Sequence, residues 1–219
     1  MSVVSEPVPK ATEPPVAHEP IRLLVVDDHA AVRMGLRELL DNEPDLEVAA
    51  AVATADAALS LAESVLLDVA VVDYQLGDRN GLWVSRKLKR LPHPPAVVIY
   101  SAYADGVLPA AAVVSQADAV LAKGGPAGEL YASIRAVARG RRVLPPLPQW
   151  LGEVLRDRFD HLEQTIFGML LSGIDPGDVA KTLDLSTAGL ESQLGDMLRR
   201  LETSTTELRR QAVRMPQAA

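Results

Sequence analysis

Ile21-Arg22-Leu23-Leu24-Val25-Val26-Asp27-Asp28 is a short apolar run that ends in two acids. Val69-Ala70-Val71-Val72-Asp73 repeats the design. Ala96-Val97-Val98-Ile99-Tyr100-Ser101 ends in a hydroxyl, and Asp118-Ala119-Val120-Leu121-Ala122-Lys123 in a lysine. Continuous apolar runs this short suit strands buried on both faces of a parallel sheet. Leu46 to Val52 supplies a further strand.

Helix-sized segments separate these runs. Val32, Leu36, Leu39 and Leu40 recur at helical spacing, as do Ala57, Ala58, Leu61 and Ala62. Leu82 to Leu91 has the same period and is stopped by Pro92. Leu130, Ile134, Val137 and Ala138 mark the next helix, with Gly140 as its C-cap. Val107 to Gln116 contains Pro109, which a first helical turn tolerates. Five β-α units from Ile21 to about Arg139 predict an α/β fold with an open, doubly wound, five-stranded parallel sheet.

Val143-Leu144-Pro145-Pro146-Leu147-Pro148 breaks this alternation and reads as linker. Beyond it Leu162, Ile166, Met169 and Leu170 form one helical stripe, ended by Gly173. Asp175-Pro176-Gly177-Asp178 starts a short helix with Asp175 as N-cap. Ser186 caps a longer one bearing Leu190, Leu194, Met197, Leu198 and Leu201, and Thr205 to Val213 suggests a fourth. Two helices joined by a tight turn, the second longer, make a small all-α helix-turn-helix domain. The expected division is a disordered tail over 1–19, the α/β domain over 20–140, a linker over 141–157 and the helical domain over 158–215.

Composition narrows the chemistry. The chain has 219 residues, 48% hydrophobic and 23% charged, which excludes a mostly disordered chain. Cysteine is absent, so disulfides, thiol nucleophiles and cysteine-ligated metals are excluded. The net charge of −7 gives no global attraction to nucleic acid or anionic membrane, so a DNA-binding surface must be local. No apolar run reaches the ~18 residues of a membrane span. The Pro/Ala/Glu-rich start has no basic segment followed by an apolar core, so no secretory signal is read and a cytoplasmic location is expected.

In a doubly wound sheet, ligands bind outside the carboxyl ends of the strands. Asp27, Asp28, Asp73, Ser101 and Lys123 therefore converge. A strand-terminal Asp alone is more often a turn or helix cap, and a lone lysine a solvated surface group. Here the strand ends together carry three carboxylates, a hydroxyl and an ammonium. Crowded carboxylates repel, and a hard divalent cation such as magnesium resolves the repulsion. Lysine and hydroxyl facing the same spot suit a phosphoryl group, so the set reads as a magnesium-dependent phosphoryl site with an aspartate nucleophile.

The motifs Val25-Val26-Asp27-Asp28-His29, Val72-Asp73-Tyr74, Ser101-Ala102-Tyr103 and Lys123 resemble those of bacterial two-component response regulators of the NarL/LuxR-type class. The resemblance covers roughly Ile21 to Arg210. It implies a flavodoxin-like receiver in which Asp73 accepts a phosphoryl group from a sensor histidine kinase. It implies Mg2+ held by Asp28 and Asp73, by Asp27 largely through water, and by the Gln75 backbone carbonyl. Ser101 and Lys123 would bind the phosphoryl oxygens, and Gln75 and Tyr103 would tune dephosphorylation. No enzymatic activity is implied beyond this self-catalysed transfer and hydrolysis. The chain departs from the pattern at Val120, where an aromatic residue is usual, and at Gln116 and Ala119, where glycines are.

Ile166 to Leu201 is similar to the LuxR-type helix-turn-helix throughout its apolar frame. The resemblance implies that Ser186 to Leu201 is a recognition helix for the major groove, in a homodimer formed on phosphorylation. Its solvent face differs. Glu191 and Gln193 stand where Lys and His or similar donors are usual, Asp196 for a frequent Asn, and Gly189 for a frequent Thr. Residues 157–219 hold seven Lys/Arg against ten Asp/Glu, which opposes phosphate binding. Gly189 and Gly195 also weaken the helix, by up to ~1 kcal/mol each relative to Ala. Lys181, Ser186, Gln193, Arg199 and Arg200 are the candidate DNA contacts, with Arg209 and Arg210 beside them. The arginines equally suit a solvated helix end.

Two functional classes follow: a phosphorylation-controlled transcription factor, or a helical domain that no longer reads DNA and serves as a protein-interaction module. A self-standing hydrolase with an aspartate nucleophile is a third, but such enzymes usually add a cap domain with no counterpart in these residues.

Overall fold

The apolar runs pair as parallel strands whose ends lie level. The computed structural model describes residues 19–214 except Asp78, Tyr103, Asp105 and Pro148, with the backbone alone for Val154 and 202–214. Residues 1–18 of the expected tail, and Tyr103, lie outside the described residues. The first part of the chain runs β1 (Ile21–Val26), α1 (Ala30–Asp41), β2 (Leu46–Val52), α2 (Ala55–Ser64), β3 (Val69–Asp73), β4 (Gln75–Leu76), β5 (Arg79–Asn80), α3 (Gly81–Leu88), β6 (Ala96–Ser101), α4 (Leu108–Val114), β7 (Ala119–Ala122) and α5 (Ala127–Ala138). The main sheet has the order β2-β1-β3-β6-β7, all parallel, as the doubly wound reading requires. Val26 pairs with Val72, Val72 with Ile99 and Ile99 with Val120, so the polar residues that follow emerge at one edge.

Alternation along each strand fills both faces. Leu23, Val25, Val69, Val71 and Val98 pack with Leu36 and Leu40 of α1 and Leu130, Ile134 and Val137 of α5. Leu24, Val26, Ala70, Val72, Val97 and Ile99 face the other layer, with Ala55 and Ala58 of α2, Leu82 and Leu88 of α3, and all of α4 except Pro109. Each large aliphatic side chain fully buried there stabilises the fold by roughly 1.5–3 kcal/mol relative to exposure.

The second part is helical: α6 (Leu151–Arg158), α7 (His161–Leu171), α8 (Pro176–Thr182) and α9 (Thr187–Arg214). Asp160 and Glu163 form a reciprocal capping box on α7, and the Asp175 carboxylate accepts the Gly177 N–H at the start of α8. Two details differ from the sequence reading. The stretch read as linker contains α6, anchored by buried Leu151 and Leu155 at i, i+4. The third and fourth helices are one, because neither Gly nor Pro falls between Gly195 and Pro216 to interrupt α9.

All seven residues of α4 are buried. A helix apolar all round has no face for water. Here α4 lies between the sheet and the helical part, packing against α7 and α9. The core on that side of the sheet is continuous with Leu151, Phe159, Ile166, Leu190, Leu194 and Met197. The connection is also fixed: Val143 bridges to β7, and Arg142 donates to the Leu170 carbonyl at 2.7 Å.

Candidate functional site

Order along the sheet reverses between β1 and β3, which opens a crevice at their carboxyl ends. Asp27 and Asp28 follow β1, Asp73 ends β3, Ser101 ends β6 and Lys123 follows β7. Asp27, Asp73 and Ser101 are 1%, 5% and 2% exposed, so these are interior polar groups rather than surface caps. Lys123 spans the crevice. Its Nζ lies 2.6 Å from Asp27 Oδ2 and 2.9 Å from Asp73 Oδ2, and its backbone N–H donates to the Ser101 carbonyl at 2.8 Å.

Burial raises the Asp73 carboxyl above the ordinary carboxylate value, and the attraction of Lys123 only partly opposes this. For Lys123, burial favours the neutral amine, but hydrogen bonds to Asp27 and Asp73 outweigh it and raise the ammonium above the usual lysine value. Asp73 Oδ1 accepts the Gln75 N–H at 3.3 Å, which places Gln75 directly beside that carboxylate. Asp28 is partly exposed at the mouth of the crevice, with one carboxylate oxygen 2.7 Å from His29 Nδ1.

The donor set suits magnesium. Asp27, Asp28, His29 and Asp73 each bring a possible ligand atom within 4.8 Å of the others. It is dominated by carboxylate oxygens, the hard donors this ion prefers. One ammonium against three carboxylates leaves negative charge for a cation to neutralise.

Three positions had no assigned role in the sequence reading. His29 joins the acidic cluster, and its backbone N–H donates to Asp27 Oδ1 at 2.8 Å. Arg33 holds the Asp27 carbonyl at 2.7 Å. Gly81 is demanded by the short β4–β5 hairpin, which folds back on the Asp73 backbone. A Cβ there would stand 2.3 Å from the Asp73 carbonyl oxygen. Asn-Gly at 80–81, soon after Asp73, was the available signal.

The candidate DNA contacts scatter by environment. Lys181 of α8 is well exposed and pairs with Asp178 at 3.0 Å. The Ser186 hydroxyl caps α9 by accepting the Gly189 N–H at 3.0 Å, and a side chain at 189 would crowd that hydroxyl. Gln193 is half-buried, and Arg199 is exposed and bonded to Asp196. Arg200 is engaged elsewhere: its guanidinium meets the fully buried Glu163 carboxylate and the Arg158 carbonyl, joining α9 to α7. Glu191 does not stand on an open solvent face. It accepts hydrogen bonds from Arg86 at 2.5 Å and from Arg90, at α3 and the turn after it. No local pattern signalled that pairing, because the partners lie about a hundred residues apart in the chain.

A five-stranded doubly wound sheet with an acid–hydroxyl–lysine crevice at its switch point is the architecture of a receiver domain. Residues 23–135 match the family model described as response regulator receiver domain, and the chain belongs to that family. Relatives span most of the chain. "Response regulator UvrY" of Escherichia coli K12 is 26% identical over 182 residues, covering 78% of this chain and 84% of UvrY. The nitrate/nitrite response regulator protein NarP of the same organism is 27% identical over 191 residues, covering 83% and 89%. A two-component response regulator of the LuxR family from Aurantimonas sp. SI85-9A1 superposes with a TM-score of 0.54 at 27% identity, over 65% of this chain and all of that one. The two-component response regulator RcsB in its DNA complex gives a TM-score of 0.56 at 19% identity, over 84% and 92%, a likeness of fold. The helical part is thus shared in fold with full-length regulators. Among the described residues no helix is long and apolar enough to cross a membrane.

Proposed function

We propose that this chain is a cytoplasmic two-component response regulator, phosphorylated on Asp73 by a sensor histidine kinase and acting on DNA as a transcriptional regulator. The observation that carries the first half is the Lys123 ammonium bridging Asp27 and Asp73 at the switch point of the sheet. In the transfer, an Asp73 carboxylate oxygen forms the new bond to phosphorus and the donor imidazole leaves. Lys123 and the Ser101 hydroxyl take the phosphoryl oxygens. Asp28 and Asp73, Asp27 through water, and the Gln75 carbonyl would hold Mg2+, which would supply neutralisation of the phosphoryl charge. Intact mass after incubation with acetyl phosphate and magnesium tests the assignment. One phosphoryl group is expected on the wild type and none on Asp73→Asn; equal labelling of both removes Asp73 from the role.

For the second half, the LuxR-type apolar frame and the fold shared with the RcsB–DNA complex support groove reading by α8 and α9 in a phosphorylation-dependent homodimer. Lys181, Ser186, Gln193 and Arg199 are the contacts, and Arg200 acts by bracing α9. The receiver occupies 20–140 and the reading domain 158–215, with α6 in the connection that precedes the latter. The engagement of Glu191 by the receiver favours the second reading, a phospho-regulated interaction module. Binding to DNA fragments of the source genome, with and without phosphorylation, separates the two.

A further inference from the structure

A cavity of about 300 Å3 opens where the receiver meets α7 and α8. Its receiver wall holds Lys89, at the end of α3, and Asp118, just before β7, so it lies at the amino ends of the strands, opposite the phosphoryl crevice. Val113, Leu170 and Ile174 make the wall apolar. Cavities of this size between domains commonly take small ligands.

The polar groups of the cavity are unevenly matched. Lys89 Nζ lies 2.5 Å from Asp118 Oδ2, and the same oxygen accepts the Val97 N–H at 2.7 Å, so that pair is closed on itself. Arg142 has no such partner. Its Nη1 donates to the Leu170 carbonyl at 2.7 Å, and the guanidinium makes no salt bridge among the described residues. Burial lowers the Arg142 guanidinium from its ordinary value, and the charge of Asp118 opposes this only in part. A partly desolvated guanidinium with spare N–H groups is a place for an anion. Gln116 lines the same cavity at φ +63°, a backbone that glycine takes freely and side chains rarely adopt. Its side-chain amide makes no hydrogen bond among the described residues. The chain thus holds a strained residue at a cavity wall, where strain commonly serves a ligand.

We propose that this cavity binds a small aliphatic monocarboxylate, its two oxygens forked on Arg142 and bonded by the Gln116 amide, its alkyl chain laid on Val113, Leu170 and Ile174. Charge balance sets the class. Asp118 is already neutralised by Lys89, and exposed Asp175 adds a negative charge to the lining. Arg142 alone is left to receive charge, which suits a monoanion better than phosphate. The apolar wall rewards an alkyl chain. The ligand would touch both the receiver and the helical part. The site uses neither phosphorylation of Asp73 nor DNA reading.

Hexanoate, its neutral isostere hexanamide and inorganic phosphate are titrated into the full chain, with calorimetry for affinity and backbone amide NMR shifts for location. Hexanoate should saturate in the millimolar range and move the amides of Gln116 and Ile174 but not those of Asp73 and Lys123. Hexanamide and phosphate should each bind at least tenfold more weakly. Arg142→Lys keeps the charge and loses the planar fork, so it should weaken hexanoate at least fivefold. Gln116→Gly should weaken it threefold or more while melting no lower than wild type, because glycine relieves the backbone. That variant covers the case in which Arg142→Lys disturbs the link to Leu170. Equal affinity for hexanamide removes Arg142 as the anchor and overturns the proposal. Tighter binding of phosphate overturns the monocarboxylate class. No saturation by hexanoate, shifts that cluster elsewhere, or unchanged affinity in both variants overturns the site.

Discussion

Replacing Lys123 by methionine keeps the aliphatic stem and deletes the ammonium. In the wild type that ammonium lies 2.6 Å and 2.9 Å from two carboxylates that are 1% and 5% exposed. At an effective dielectric of about 20, each contact is worth roughly 6 kcal/mol of bare attraction. Desolvation offsets most of that. Removing one partner from a buried ionic group costs about 3–5 kcal/mol, because the remaining charges stay buried. For a chain of this size the loss lowers Tm by roughly 6–20 °C. Urea unfolding in EDTA at neutral pH measures it. The deficit should shrink as pH falls, since Asp73, already raised by burial, takes a proton and relieves the repulsion. It should also shrink when Asp73→Asn accompanies Lys123→Met. A Lys123→Met protein within about 0.5 kcal/mol of wild type in EDTA would refute the bridging account. So would a full deficit that persists beside Asp73→Asn.

Asp73→Asn alone should stabilise the metal-free chain at neutral pH. The raised carboxyl marks an ionised form the fold disfavours, so the gain is full above the folded value and vanishes below the unfolded one; thermal melts across pH check this. Asp28→Ala should sharply weaken magnesium binding by direct titration, and an unchanged affinity removes Asp28 from the ligand set. Gly81→Ala should destabilise by about 2 kcal/mol or more, since the new Cβ meets backbone rather than a yielding side chain. Arg200→Met should cost about 3–5 kcal/mol in denaturant unfolding by stranding the wholly buried Glu163 carboxylate. A purely solvated Arg200 would cost almost nothing.

Much of the receiver was legible because its chemistry is written at strand ends. Each apolar run stops at the residue the crevice uses, and the parallel register brings Asp27, Asp73, Ser101 and Lys123 to one edge. The helix-turn-helix frame was legible through the caps Asp175 and Ser186. The β4–β5 hairpin was not, because two-residue strands have no period to detect. Helix α6 was obscured by the prolines before it. Gly189 and Gly195 read as weaknesses when only helix propensity was weighed. The first spares the Ser186 cap and the second admits Arg86, and both reasons are contacts that α9 alone does not reveal. Arg200 and Glu191 misled in the same way, since a charge on an amphipathic helix looks solvated until its distant partner is known.

The bridge at Val143 bears on how the molecule behaves in company. β7 is the last strand of the sheet, and such an edge offers unpaired amides and carbonyls to any extended chain. Here the Val143 N–H donates to the Asp118 carbonyl at 2.7 Å, and the Val120 N–H donates to the Val143 carbonyl at 3.2 Å. The residues leaving α5 thus sheathe the start of the edge before running on to α6. Any rearrangement that peels this segment away uncovers a short strand made only of Ala, Val and Leu. The segment that carries the chain from α5 to α6 therefore also guards against strand pairing between molecules, and substitutions that loosen it will surface first as aggregation at high protein concentration.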